Sequence, residues 1–223
     1  MNNKFKDRKY WDNYFCNAGL TGMQKMKPVL SLMKNIVLEN STLGDYGGTT
    51  VSFKLFKNFF PKTKIISINR IKGQIKDCDF PVCEDFSEKT GFASDYFDVV
   101  FLGDVIEHLV EPDKLVIELN RAIKPNGYLI LTTPNLANLM NRLCLLFGYA
   151  PTNYHPSEYR YGTMFGVKHT SWHKSVFTVP AMKDFLKSYG FDVLKEKGFS
   201  YHGKSFLPTN LSEGMIILAK KIG

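Results

Sequence analysis

The chain has 223 residues, 44% of them hydrophobic and 22% charged, a balance that suits one packed domain and excludes a disordered or fibrous protein. Its net charge of +8 comes from 29 Lys and Arg against 21 Asp and Glu. The basic residues are scattered singly, so a solvated surface accounts for them without a nucleic-acid stripe. No apolar run reaches the ~20 residues that span a bilayer.

The N-terminal stretch "MNNKFKDRKYWDNYF" has lysines but no apolar signal core, which argues against secretion. Cys16, Cys78, Cys83 and Cys144 are widely spread and form no CxxC pair. Reduced thiols and a cytoplasmic location are the expectation.

In chain order, residues 1–40 read as N-terminal helices. Within 23–40, Met26, Val29, Leu30, Met33, Ile36 and Val37 fall on one helical face. A short strand then reaches Asp45, and "TVSFKLFKNFF" reads as a helix stopped by Pro61. "KIISIN" is a β-branched strand. "FDVVFLG" is the near-continuous apolar run of a strand buried on both faces. "DKLVIELNRAI" is an amphipathic helix opened by Pro112 and closed by "KPNG", and "YLILTT" is another buried strand. "PNLANLMNRLCLLFG" reads as a helix, followed by an irregular stretch over 148–175 rich in aromatic and His residues. A helix over 178–190 and strands near 191–198 and 213–220 close the chain.

This order predicts a single α/β domain over 1–223, with a doubly wound, mostly parallel seven-stranded sheet. Segment 134–175 is too short to bury its own core and is expected to form a lid-like insertion. In such sheets ligands bind beyond the carboxyl ends of the strands, which places Asp45, Asn69, Asp85 and Asp104 around one crevice. Asp104, Glu107 and His108 lie on one turn after a buried strand. They read either as a cap with solvated neighbours or as acid–base and metal-binding groups.

The stretch Phe97 to Asn135, with its "GDVIEHL", "KPNG" and "LILTTPN", resembles the strand-four to strand-five core of class I S-adenosylmethionine-dependent methyltransferases. The likeness continues more weakly over about residues 40–198. It implies a Rossmann-like methyltransferase fold, S-adenosylmethionine as cofactor, and transfer of a methyl group. By the same resemblance, Asp45, Tyr46, Gly47 and Gly48 match the start of the family's glycine loop, with Thr49 and Val51 where later glycines are expected. Asn69 and Arg70 fall where the family binds ribose, Asp85 and Phe86 where it holds adenine, and Gly103 and Asp104 at the end of the fourth strand. Because Asn offers one acceptor oxygen and no charge, Asn69→Asp is expected to tighten cofactor binding.

The resemblance extends to a chemical role for the acid–acid–His turn. His108, with Glu107 and His173, is the candidate for removing the acceptor's proton. Small-RNA 2′-O-methyltransferases and ubiquinone-pathway O-methyltransferases carry similar clusters for a divalent metal, which implies Asp104, Glu107, His108 and His173 as its ligands. A small-molecule or glycan hydroxyl is the expected acceptor. The alternatives are a metal-dependent RNA methyltransferase, a non-catalytic relative that has lost cofactor binding, and an NADP-dependent reductase. Against the last, no Tyr-x-x-x-Lys dyad occurs in the chain.

Overall fold

The computed structural model describes residues 25–69, 78, 81–82, 90–154, 159–166, 168–169, 173–201 and 206–223. Among these, the elements in order are α1 (Met26–Met33), β1 (Thr42–Tyr46), α2 (Thr50–Phe59), β2 (Lys64–Ile68), β3 (Pro81–Val82), β4 (Phe97–Gly103), α3 (Pro112–Ala122), β5 (Ile123–Pro134), α4 (Leu139–Leu146), β6 (Tyr159–Arg160), β7 (Lys168–His169), α5 (Val179–Ser188), β8 (Phe191–Phe199) and β9 (Gly214–Lys221). Short 3₁₀ turns follow β4 at Ile106–His108 and precede β9 at Thr209–Leu211.

One seven-stranded sheet runs in the order β3-β2-β1-β4-β5-β9-β8. Neighbours from β3 to β5 pair in parallel, whereas β9 is antiparallel to both β5 and β8. Chain order reverses between β1 and β4, where Asp45 pairs with Phe101 and Tyr46 with Leu102. The architecture is Rossmann-like, and such a reversal opens a crevice at the strand ends.

The period-two alternation of β4 divides the core. Val99 and Phe101 face one way, packing with α1 (Val29, Leu30) and α2 (Leu55, Phe56). Val100 and Leu102 face the other way, among Leu115 and Leu119 of α3 and Met182 of α5. All these side chains are buried. Truncating one of them, as in Leu30→Ala, costs on the order of 2–5 kcal/mol.

Local boundaries differ from the sequence expectation for identifiable reasons. The apolar face read over 23–40 yields helix only to Met33, after which the chain turns towards Thr42. "KPNG" does not simply close α3. It forms an irregularity inside β5, where the register with β4 jumps from Phe97↔Ile123 to Val99↔Tyr128. Asn126 takes a left-handed φ of 63° there, which Asn tolerates better than most residues. The helix read from Pro134 starts only at Leu139, because Asn138 is its N-cap, its side chain accepting from the Asn141 N–H at 2.9 Å.

Candidate functional site

Strand β1 ends in Asp45 and Tyr46, both buried, and the chain enters α2 through only three residues, Gly47 to Thr49. Gly47 has φ +78°, and a Cβ there would overlap the Val105 methyl. A Cβ on Gly48 would stand 2.6 Å from the Asp45 carbonyl. Both N–H groups donate to the Ile68 carbonyl, at 2.9 and 3.0 Å.

Thr49, where a later glycine is expected, ends the loop. It is the N-cap of α2, in a capping box with Ser52. The Ser52 hydroxyl also donates to the Asp45 carboxylate at 2.6 Å. The loop is therefore short and closed on itself, which explains why the longer glycine pattern is absent. Asn69, just past β2, donates from its side-chain amide to the Gly48 carbonyl at 2.7 Å. Arg70, Asp85 and Phe86, expected at the ribose and adenine, lie outside the described residues.

At the end of β4, Gly103 leads into Asp104, which adopts a left-handed φ of 51°. Its backbone N–H and carboxylate are fixed by Thr132 of β5, whose hydroxyl donates at 2.7 Å. The Lys25 ammonium, from just before α1, pairs with the other carboxylate oxygen. The 3₁₀ turn then buries Glu107 and exposes His108. Burial, reinforced by the Asp104 charge, pushes the Glu107 carboxyl up to about 8, against the opposing pull of Lys25 and the Thr133 hydroxyl. The reading of Glu107 as a solvated turn residue is thus corrected. Its carboxylate is held inside by the Thr133 hydroxyl, which donates to it at 3.2 Å.

The remaining histidine arrives from the segment between α4 and α5. The Glu107 carbonyl accepts from the N–H groups of Lys174 and Ser175, at 2.6 and 3.0 Å. His173 therefore sits against the turn, its ring centroid 5.0 Å from that of His108. Its Nδ1 lies 2.9 Å from the Asn153 carbonyl. A carbonyl only accepts, so Nδ1 donates and the lone pair of the neutral ring is on Nε2. Asn153 is itself held by the buried Asn141, whose amide donates to the Asn153 side chain at 2.6 Å. The Asn141 oxygen accepts from the N–H and the hydroxyl of Thr152, both at 2.8 Å.

These groups border a cavity of about 510 Å³ beyond the ends of β4 and β5. Asp104, Glu107, His108 and His173 line it together with Asn153, Tyr201 and Glu213. One ligand atom each of Glu107, His108 and His173 lies within 4.8 Å of the others. Asp104, the fourth residue expected with them, is engaged by Lys25 and Thr132. Two imidazoles and a carboxylate suit a divalent first-row metal. A carboxylate at the β4 end that already accepts an ammonium also suits a cofactor bearing an amino group.

Sequence reading missed Lys25, Asn153, Tyr201 and Glu213. The Glu213 carboxylate accepts from the Ser200 hydroxyl and the Tyr201 N–H, at 2.5 and 2.7 Å. Burial pushes the Tyr201 phenol upward, and the charges of Asp104, Glu107 and Glu213 act in the same direction. No local motif marks these residues, since they converge from strand and loop ends far apart in the chain. Among the described residues between α4 and α5, the rings of Tyr149, Tyr154, Tyr159, Tyr161 and Phe165 are exposed, and these five do not line the cavity.

Comparison with known proteins follows the same geometry. Residues 48–131 match the family model described as a methyltransferase domain. No curated protein matches the sequence. Among solved structures, a SAM-dependent methyltransferase from Archaeoglobus fulgidus superposes with a TM-score of 0.59 at 17% identity, over 87% of this chain and 94% of that one. A SAM-dependent methyltransferase from Thermotoga maritima, described as a possible histamine N-methyltransferase, gives 0.57 at 14% over 98% of both chains. The cyclase SpnF gives 0.61 at 14%, over 88% of this chain and 82% of that one. At such identities the likeness concerns the fold.

Proposed function

We propose that the chain, whose residues 48–131 match a methyltransferase domain and whose fold is that of SAM-dependent methyltransferases, methylates a hydroxyl of a small-molecule or glycan acceptor seated in the cavity beyond β4 and β5. The observation that carries this reading is the meeting of Glu107, His108 and His173 at one wall of that cavity. S-adenosylmethionine supplies an already electrophilic methyl group on sulfur. What remains for the chain is to align the nucleophile, exclude water and accept a proton.

His108 is the base in this reading, being a cavity-lining imidazole at the end of β4. His173, oriented by the Asn153 carbonyl, stands beside it to receive or relay the proton. Glu107 is buried and pushed towards its neutral form, so it donates to the acceptor rather than competing for its proton. Asn153, Asn138 and Glu213 offer hydrogen-bonding groups along the cavity wall, as a polyhydroxylated acceptor requires. The loop from Asp45 to Gly48 with Asn69 serves the cofactor side, together with Arg70, Asp85 and Phe86.

A second reading rests on the same cluster. Glu107, His108 and His173 would hold a divalent ion, which would polarise the acceptor oxygen. Under it the acceptor extends to a terminal ribose 2′-hydroxyl of RNA. Calorimetry with S-adenosylhomocysteine tests the common premise. One site is expected, and the absence of heat at millimolar ligand with folded protein refutes both readings.

A further inference from the structure

Helix α4 is built inside out. Its inward residues are Asn141, held in hydrogen bonds, and Cys144, both fully buried. Its outward residues are apolar. Leu139, Leu143, Leu146 and the C-cap Phe147 recur at helical spacing along one side, the last two 75% and 65% exposed. Met140 and Leu145, both exposed, flank this stripe. A helix on a protein surface normally shows the opposite arrangement, and a concentration of apolar side chains of this kind marks an interaction surface.

Charge and area together select the occupant. From Leu139 to Tyr154 the chain carries one charged residue, Arg142. Its guanidinium is turned back onto the carbonyls of Ala137 and Asn210, at 2.7 and 3.4 Å. Helices that lie on lipid carry several Lys or Arg on their polar side, and α4 does not. An uncharged apolar face is complementary to itself, as the cores of homodimer interfaces are. The six exposed side chains present roughly 600 Å² of surface, near the ~800 Å² per partner of a standard interface, with the rest left to a polar rim. The spacing also suits a two-fold axis. With Leu143 at the axis of an antiparallel crossing, Leu139 of one copy meets the partner's Phe147, and the contact repeats with the roles exchanged.

We propose that α4 packs against α4 of a second copy of this chain, making the protein a homodimer. Met140, on the flank of the stripe, also lines the cavity, so the interface runs along the cavity's rim and the partner borders its mouth. The pairing does not rest on the methyl-transfer reading, and its test uses no cofactor.

The full chain is run by sedimentation equilibrium up to ~100 μM, well above the roughly micromolar limit of weak interfaces of this size. Twice the chain mass is expected. The double variant Leu146→Glu, Phe147→Glu alters two exposed side chains, and a thermal melt by circular dichroism checks its fold. It should weaken the dimer at least ~10-fold, because apolar contacts are lost and like charges are set face to face. The milder pair Leu146→Ser, Phe147→Ser, read in the same way, decides the matter if the glutamates unfold the chain. A wild-type chain that stays monomeric overturns the proposal, as does a dimer that a folded variant leaves intact. A monomer that sediments with phosphatidylglycerol vesicles overturns it too, giving the face to lipid.

Discussion

The side-chain amide of Asn69 donates to the carbonyl of Gly48 at 2.7 Å, tying the end of β2 to the turn that follows β1. A carboxylate at that position has no proton to give and would face the carbonyl oxygen. This bond favours the opposite outcome to the expectation that Asn69→Asp tightens cofactor binding. The substitution should lower stability by about 1–3 kcal/mol and weaken S-adenosylhomocysteine binding. Denaturant titration and calorimetry check this, and tighter binding would return Asn69 to a direct ribose role.

Gly48→Ala probes the same turn from the inside. Its Cβ would meet the Asp45 carbonyl at 2.6 Å and the Asp45 carboxylate at 2.8 Å, atoms that cannot withdraw without opening the loop. A loss of roughly 1–3 kcal/mol in stability is expected, with S-adenosylhomocysteine binding reduced beyond detection by calorimetry. Wild-type affinity in this variant would mean that the loop is not part of the cofactor site.

Asp45 gives the ligand-free protein a distinctive pH response. Burial pushes its carboxyl up to about 7 from 3.8, with the Ser52 hydroxyl pulling the other way. Between those values the folded state keeps a proton that the unfolded chain has released. This contribution therefore favours folding at low pH and is lost as pH rises from about 4 to about 7. Asp45→Asn keeps the shape and cannot ionise. Its melting temperature relative to wild type should climb across that window and level off above it. A difference that is flat with pH would show that Asp45 is charged throughout.

The two readings of the Glu107–His108–His173 cluster separate in one assay series. With His108 as base, His108→Ala reduces turnover ~10²–10⁴-fold, leaves S-adenosylhomocysteine affinity nearly unchanged and makes chelator irrelevant. With a metal present, chelator stops turnover, Mg²⁺ or Mn²⁺ restores it, and His173→Ala raises the concentration of ion required. Full activity in His108→Ala and in chelator would remove both roles.

The parts legible in sequence were those written contiguously. Phe97 to Gly103 and Tyr128 to Thr133 announce buried parallel strands through unbroken apolar runs. "GDVIEHL" places its acids and histidine at a strand end by simple adjacency. The cofactor turn was half legible. Asp45, Gly47 and Gly48 mark the start, whereas the role of Thr49 depends on Ser52 and on where the helix begins. Lys25, Tyr201 and Glu213 were illegible, because α1 and the β8–β9 end reach Asp104 and the cavity only through tertiary packing. Asn141 was illegible for another reason, since a polar residue within a helix suggests the outer face, and here it is the buried one.

Strand β9 is inserted between β5 and β8, although it is the last of the strands in sequence. The facing edges of β5 and β8 are joined only through residues 214–221. Glu213, immediately before that strand, stands in the cavity wall. Closure of the sheet and completion of the site thus depend on one segment: a chain truncated before residue 213 would leave β5 and β8 unpaired on those edges and the cavity wall without Glu213.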